Sequence, residues 1–276
     1  MESTYAKNFY NDIGLRFANK VFGLKYLHYG YFDGLPTTLD ALPEAQEVYV
    51  QQVLSHIPSD VKKVLDVGCG AGGVALNLVN RGLDVTCCDP DPYMLQKTSE
   101  LTGNRIKTKN DFYEKAQGLP EGGFDMVLMS ESCQYVPYGE GFAQHRKHLR
   151  PGGYVLISDF FKVRELDKPY LSKSGHKFDE FVAEAKRQGF ELQVDRDITK
   201  QCAPTHDIYQ KILLEKAFPV AEALFEYVSR RYPKFYKMMK YFVGEKVLFL
   251  KQKYSSQGAD IFTQYKSYRI LLFKKV

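Results

Sequence analysis

Two aspartates and four closely spaced glycines carry the most informative chemistry in this chain. Asp66 lies near the end of the apolar run "VLDV", and Gly68, Gly70, Gly72 and Gly73 follow at once. Glycine lets a backbone turn sharply and lets a ligand approach the main chain. A helix starting there aims its N-terminal amides at that ligand. Asp89 comes 21 positions after Gly68, at the end of a second apolar run. A carboxylate in that place can accept hydrogen bonds from both hydroxyls of a ribose. The glycine spacing also fits a dinucleotide, as in a nicotinamide-dependent oxidoreductase. Asp66 argues for a ligand with a cationic head instead, and no basic residue sits near the turn to meet a pyrophosphate.

Strand-length apolar runs at Val64–Val67, Val85–Cys88, Met126–Met129 and Tyr154–Ser158 must position these groups. Helical segments at Val74–Asn80, Tyr93–Leu101 and Gly141–Leu149 alternate with them, and alternation of this kind predicts a parallel sheet covered on both faces. An amphipathic helix is expected over Pro43–Ile57, with Val48, Val53, Leu54 and Ile57 on one face. A helix over His176–Gln188, a strand over Phe190–Ile198, helices over His206–Lys253 broken near Pro233, and a closing strand over Tyr265–Lys275 follow. The expected organisation is one domain over 1–276. It comprises an N-terminal lid (1–45), a cofactor-binding core (46–200), a helical substrate cap (205–256) and a closing strand (262–276).

Composition bounds the reading. With 44% hydrophobic and 26% charged residues, the chain has the balance of a soluble globular protein. No apolar run is long enough for a membrane span, and the N-terminus lacks the apolar region of a secretory signal, so the expected location is cytoplasmic. Five cysteines without a CxxC pair argue against a disulfide framework or a zinc site, and Cys87 and Cys88 read as core residues. His145 and His148 lack a third metal ligand and read as surface or helix-end residues; no metal is expected. From Gln201 onward there are 14 Lys and Arg against 6 Asp and Glu. These lysines are spread among aromatics and read first as a solvated helical face.

"VLDVGCGAGG" resembles the first motif of class I S-adenosylmethionine-dependent methyltransferases. "DPDPYML", "GFDMVLMSESCQYV" and "HLRPGGYVLISDFF" resemble their second-, fourth- and fifth-strand motifs, in order, across about Val61–Phe161. "YLHYGYFDG" and "SESCQYVP" are similar to segments of small-molecule methyltransferases acting on sterols, tocopherols, methylated glycines and glycosylated natural products. The resemblance implies a Rossmann-like α/β fold: a seven-stranded, mostly parallel sheet with helices on both faces, an N-terminal lid and a helical insertion before the last strand. It implies S-adenosyl-L-methionine as cofactor, with Gly68 and Gly70 against the methionine part and Asp66 helping to hold its ammonium through the loop. Asp89 would bind the ribose, Pro90 would lie on the adenine, Asp111 would take the exocyclic amine and Phe112 would pack on the ring. Ser130 and Glu131 would border the sulfonium.

Relatives often carry histidine where this chain has Tyr135. Tyrosine, with an ordinary pKa near 10, is a weaker base at neutral pH. Asp159, at the rim where open α/β sheets bind substrates, is the first candidate for a base or substrate anchor, with Tyr135 and His28 beside it. Tyr10, Tyr29 and Tyr31 are candidate lid and substrate contacts. The expected reaction is methyl transfer to an O, N or C nucleophile of a small, apolar or aromatic metabolite. A nucleic-acid methyltransferase is the alternative drawing on the basic C-terminal region, but the fourth strand is not followed by the motifs of DNA amino- or cytosine-methylating enzymes. Nucleic acid is thus an unexpected partner, stable membrane insertion is not expected, and homodimerisation stays open.

Overall fold

A computed structural model describes residues 26, 28–165, 173–255 and 258–276. Seven strands form one sheet in the order β3-β2-β1-β4-β5-β7-β6. They are β1 (Lys63–Val67), β2 (Asp84–Asp89), β3 (Lys107–Asn110), β4 (Phe124–Ser130), β5 (Leu149–Lys162), β6 (Phe190–Asp197) and β7 (Lys266–Lys275). The first five run parallel, and β7 is antiparallel to both β5 and β6. The chain reverses its strand order between β1 and β4, which opens a crevice at the carboxyl ends of those strands.

Both faces of the sheet are buried, and alternation sorts the side chains. Val64, Leu156, Ile270 and Leu272 pack on one face with Tyr49 and Val53. Leu65, Val67, Ile157, Leu271 and Phe273 pack on the other with Phe142 and Phe181. Burial on both sides explains why the central strands read as continuous apolar runs. β3 escapes that search. It is the edge strand "KTKN", largely exposed, so nothing selects for apolar residues there.

Helices cover the sheet before the insertion turns back. The first, α1 (Leu42–Leu54), buries Leu42, Ala45, Gln46, Tyr49, Val50, Val53 and Leu54, a stripe that leaves Val48 partly exposed. α2 (Gly73–Asn80) follows the glycine turn. α3 (Pro92–Thr102) starts where Asp91 Oδ1 accepts from the Tyr93 amide at 2.9 Å and proline fills the first turn. α4 (Tyr138–His148) and α5 (Phe178–Arg187) cover the second face. A short α6 (Thr199–Cys202) leads into α7 (Pro204–Ile212).

The expected insertion between the last two strands is present. After α7, a π turn (Leu213–Ala217) leads to α8 (Phe218–Arg231), and α9 (Pro233–Ser255) returns after a break at Tyr232. α10 (Ala259–Tyr265) comes next. The closing strand therefore starts at Lys266 rather than 262. Contrary to the sequence reading, His145 and His148 are buried. The Tyr113 hydroxyl lies 2.9 Å from His145 Nδ1, and His148 meets the Pro120 carbonyl at 3.0 Å and Gln144 Oε1 at 2.9 Å. Polar neighbours inside the helix–sheet layer let these rings sit in the core, which helix periodicity alone does not reveal. All five cysteines are buried thiols.

Candidate active site

Pairing register brings the glycine turn and Asp89 together. Val67 stands beside Cys88, and the Gly68 amide donates to the Cys88 carbonyl at 2.8 Å. The turn runs through left-handed backbone at Gly68 (φ +72°), Gly70 (φ +54°) and Gly72 (φ +84°). Space is the second constraint at Gly68. A Cβ there would lie 2.4 Å from Ser132 Cβ. Ser132 follows β4 and donates to the Val67 carbonyl at 2.5 Å, so the turns after β1 and β4 are locked against each other.

Asp66 is buried, and its Oδ2 has no hydrogen-bond partner among the described residues. Burial, reinforced by the nearby Asp89 charge, pushes its pKa up to about 7. A buried acceptor lacking a partner is what a cationic ligand group would satisfy. Asp89 accepts from the Gly70 amide at 3.2 Å and from the Asp91 amide at 2.8 Å, and burial lifts its pKa to about 6. The helix cap is Asp91, which leaves Asp89 as the carboxylate at the strand end. Asp89 pairs in register with Asn110 of β3, and Asp111 and Phe112 follow, both partly exposed. Asp111 has an ion pair with Lys109 at 3.5 Å. Pro90 is partly exposed beside them. The positions expected to meet methionine, ribose and adenine thus line consecutive strand ends.

A second group of side chains converges past β4. Glu131 has φ +56°, an unusual conformation for a residue with a side chain. Its Oε1 accepts from the Tyr29 amide at 2.6 Å and the Tyr268 hydroxyl at 2.5 Å. Both of these bonds fall on Oε1 and neither engages Oε2. Burial raises the Glu131 pKa to about 8, against the opposing pull of the Tyr268 and Tyr29 bonds. The Tyr268 hydroxyl lies 3.0 Å from that of Tyr49, which donates to Ser158 Oγ at 2.7 Å. Tyr29 reaches His206 Nε2 through its hydroxyl at 2.9 Å, and Phe160, Phe262 and Tyr268 surround its ring. Tyr29 is thereby fastened to the turn after β4, to β7 and to α7.

The sequence candidates divide here. Tyr29 and Glu131 lie in this cluster. Asp159 is near it but fully buried, accepting from the Gln134 amide at 3.2 Å, Gln134 Nε2 at 3.3 Å and the Phe160 amide at 2.8 Å. Its carboxyl, raised by burial to about 6, clamps the turn Cys133–Tyr135. Tyr135 is 42% exposed at the end of that turn. His28 is buried between the rings of Tyr26 and Tyr49, with Nδ1 donating to the Tyr29 carbonyl at 2.8 Å, and burial depresses its pKa to about 4. Tyr31 is buried and its hydroxyl accepts from Arg196 at 3.1 Å, against β6. Tyr10 lies outside the described residues. Sequence reasoning missed Tyr49, His206 and Tyr268. Tyr268 shares its strand face with Ile270 and Leu272, so along the chain it reads as core.

Residues 64–153 match the family model described as "Methyltransferase domain". The chain is 27% identical over 197 residues to Methyltransferase GfsG of Streptomyces halstedii, covering 65% of this chain and 70% of that protein. Among solved structures, the [4+2]-cyclase SpnF superposes with a TM-score of 0.72 at 17% identity, covering 96% of this chain and 94% of the other. Geranyl diphosphate C-methyltransferase from Streptomyces coelicolor A3(2), solved with S-adenosyl-L-homocysteine, gives 0.67 at 15% identity, covering 96% and 94%. The four strand-end motifs, the matched domain and the antiparallel seventh strand agree: residues 64–153 are similar to a methyltransferase domain, and the sheet has the Rossmann-like fold shared with S-adenosylmethionine-dependent methyltransferases.

Proposed function

We propose that this protein transfers a methyl group to an oxygen, nitrogen or carbon nucleophile of a small apolar or aromatic metabolite, in the cytoplasm. The carrying observation is the adjacency of the two clusters. The Ser130–Ser132 turn touches the glycine turn through Ser132 and offers Glu131 to the aromatic pocket. When bound, S-adenosylmethionine supplies a methyl group on a sulfonium whose leaving group is a neutral thioether. Asp66 and the amides of Gly68 and Gly70 would hold its methionine end, Asp89 its ribose, and Pro90, Asp111 and Phe112 its adenine.

The protein's part is mostly positioning and water exclusion. Tyr29, Phe160, His206, Phe262 and Tyr268 would form the wall against which a flat or apolar substrate lies. Where the nucleophile arrives protonated, Glu131 is better placed to accept the proton than Asp159. Tyr29 and Tyr268 fix its Oε1, leaving Oε2 toward the substrate. Asp159 acts as a positioning residue through the Cys133–Tyr135 turn, and His28, a neutral ring at pH 7, braces Tyr26 and Tyr49.

Calorimetry separates this reading from an oxidoreductase: S-adenosylhomocysteine should bind and NAD should not. Incubation of a metabolite extract with isotopically labelled S-adenosylmethionine should yield a methylated small-molecule product by mass detection. Label appearing only in RNA would favour the nucleic-acid alternative. Light scattering reads whether the chain is a monomer or a homodimer.

A further inference from the structure

The far end of the insertion carries a surface of exposed apolar side chains. α8 and α9 fold back on each other, with Lys251 Nζ on Glu222 Oε1 at 2.7 Å. Around their junction, Leu224 (60%), Tyr227 (60%), Phe235 (53%) and Met238 (52%) are exposed. Farther along α8, Val220 is 70% exposed on the same helical face as Leu224 and Tyr227. Large apolar side chains clustered in this way mark an interaction site rather than ordinary surface.

Charge identifies the partner. Arg231, Lys234, Lys237 and Lys240 are exposed among these residues, Arg230 is ion-paired with Glu226, and no acidic residue falls between Glu226 and Glu245. Lys234 and Lys237 each precede an exposed apolar residue, so on α9 a cationic row runs beside an apolar one, about 100° round the helix. A second copy of this chain would set the basic tip against a basic tip, which is repulsive. Nucleic acid would use the cations and the rings but has no use for Val220, Leu224 and Met238. The boundary between headgroups and acyl chains accepts all three kinds of side chain, with the long amine stems reaching lipid phosphates. Among the described residues no helix is long and apolar enough to cross a membrane, so the hairpin would lie on the surface.

We propose that the tip of the α8–α9 hairpin docks the protein on a membrane surface rich in anionic phospholipids. α7, whose His206 touches Tyr29, continues through the π turn into α8. Docking therefore places the aromatic pocket at the other end of one helical stretch from the lipid. Surface docking does not depend on the methyl-transfer reading.

The test uses the full chain and vesicles of phosphatidylcholine alone or with about a third phosphatidylserine. Co-sedimentation is expected with the anionic vesicles only, weakening as salt rises. Lys234→Glu/Lys237→Glu/Lys240→Glu, and separately Leu224→Ser/Phe235→Ser, should each reduce vesicle binding by about tenfold or more, with the circular dichroism spectrum and S-adenosylhomocysteine affinity unchanged. The chain has no tryptophan, so Phe235→Trp supplies a single reporter whose emission should shift to the blue on the anionic vesicles. Three outcomes would overturn the proposal: no anionic-vesicle binding at about 0.1 M salt, vesicle binding indifferent to both sets of substitutions, or displacement of the protein from vesicles by RNA.

Discussion

Replacing Asp66 by asparagine should move stability and ligand binding in opposite directions. In the unfolded chain this carboxyl ionises near 3.8, whereas in the fold it keeps its proton up to about 7. Between those values the folded state binds more protons than the unfolded one, so stability falls as pH rises through the window. The loss is complete above the folded pKa. Roughly three pKa units correspond to about 4 kcal/mol of penalty for the buried charge at pH 8. The substituted amide would carry no charge but would bury an N–H lacking a partner, at a cost of about 1–3 kcal/mol. The net expectation at pH 8 is a gain of about 1–3 kcal/mol, or several degrees in Tm. At pH 4, where Asp66 is also largely neutral, that gain should be absent. S-adenosylhomocysteine affinity should fall about 10- to 100-fold, because a charge-assisted contact to the ammonium is lost. Thermal scans of both proteins at pH 4 and 8, with calorimetric titration at pH 8, measure each arm. A variant that is less stable at pH 8, or one that binds as tightly as the parent, would refute the assignment.

Asp89→Ala should weaken S-adenosylhomocysteine binding by about tenfold or more, since the ribose contact and the hold on the Gly70 amide go together; unchanged affinity by calorimetry would remove the ribose role. Gly68→Ala forces an unfavourable backbone, about 1–2 kcal/mol, and meets Ser132, so both Tm and cofactor binding should drop. For Glu131, kcat/KM on a hydroxyl substrate should rise with pH to a limb near 8, where the buried carboxyl ionises. Glu131→Gln should abolish that limb and most turnover. Tyr268→Phe removes a hydrogen bond that favours the carboxylate, so the limb should move to higher pH; a limb that stays in place would show that Glu131 is not the titrating group.

The sheet was legible along the chain because strands buried on both faces must be continuously apolar, as in Val64–Val67 and Tyr154–Ser158. The clustering of the proposed cofactor residues was legible for a related reason. They lie within a few residues of strand ends, so parallel pairing brings Gly68, Asp89 and Asp111 together without any long-range information. β3 was not, since an exposed edge strand can be "KTKN".

The proposed substrate side was a different matter. Glu131, Tyr49, His206 and Tyr268 lie on four separate elements, and nothing in local spacing says that their polar atoms meet. Whether Asp159 faced a substrate or clamped a turn, and whether His28 was a base or a spacer between rings, depended on burial. A carboxylate and an imidazole read the same along the chain in either role. Both their desolvation and their hydrogen-bond partners come from packing: the partners give Asp159 its clamp, and burial gives His28 its low basicity. Sequence alone located the strand ends where a cofactor is proposed to bind; tertiary structure decided which polar groups are buried and which partners they meet.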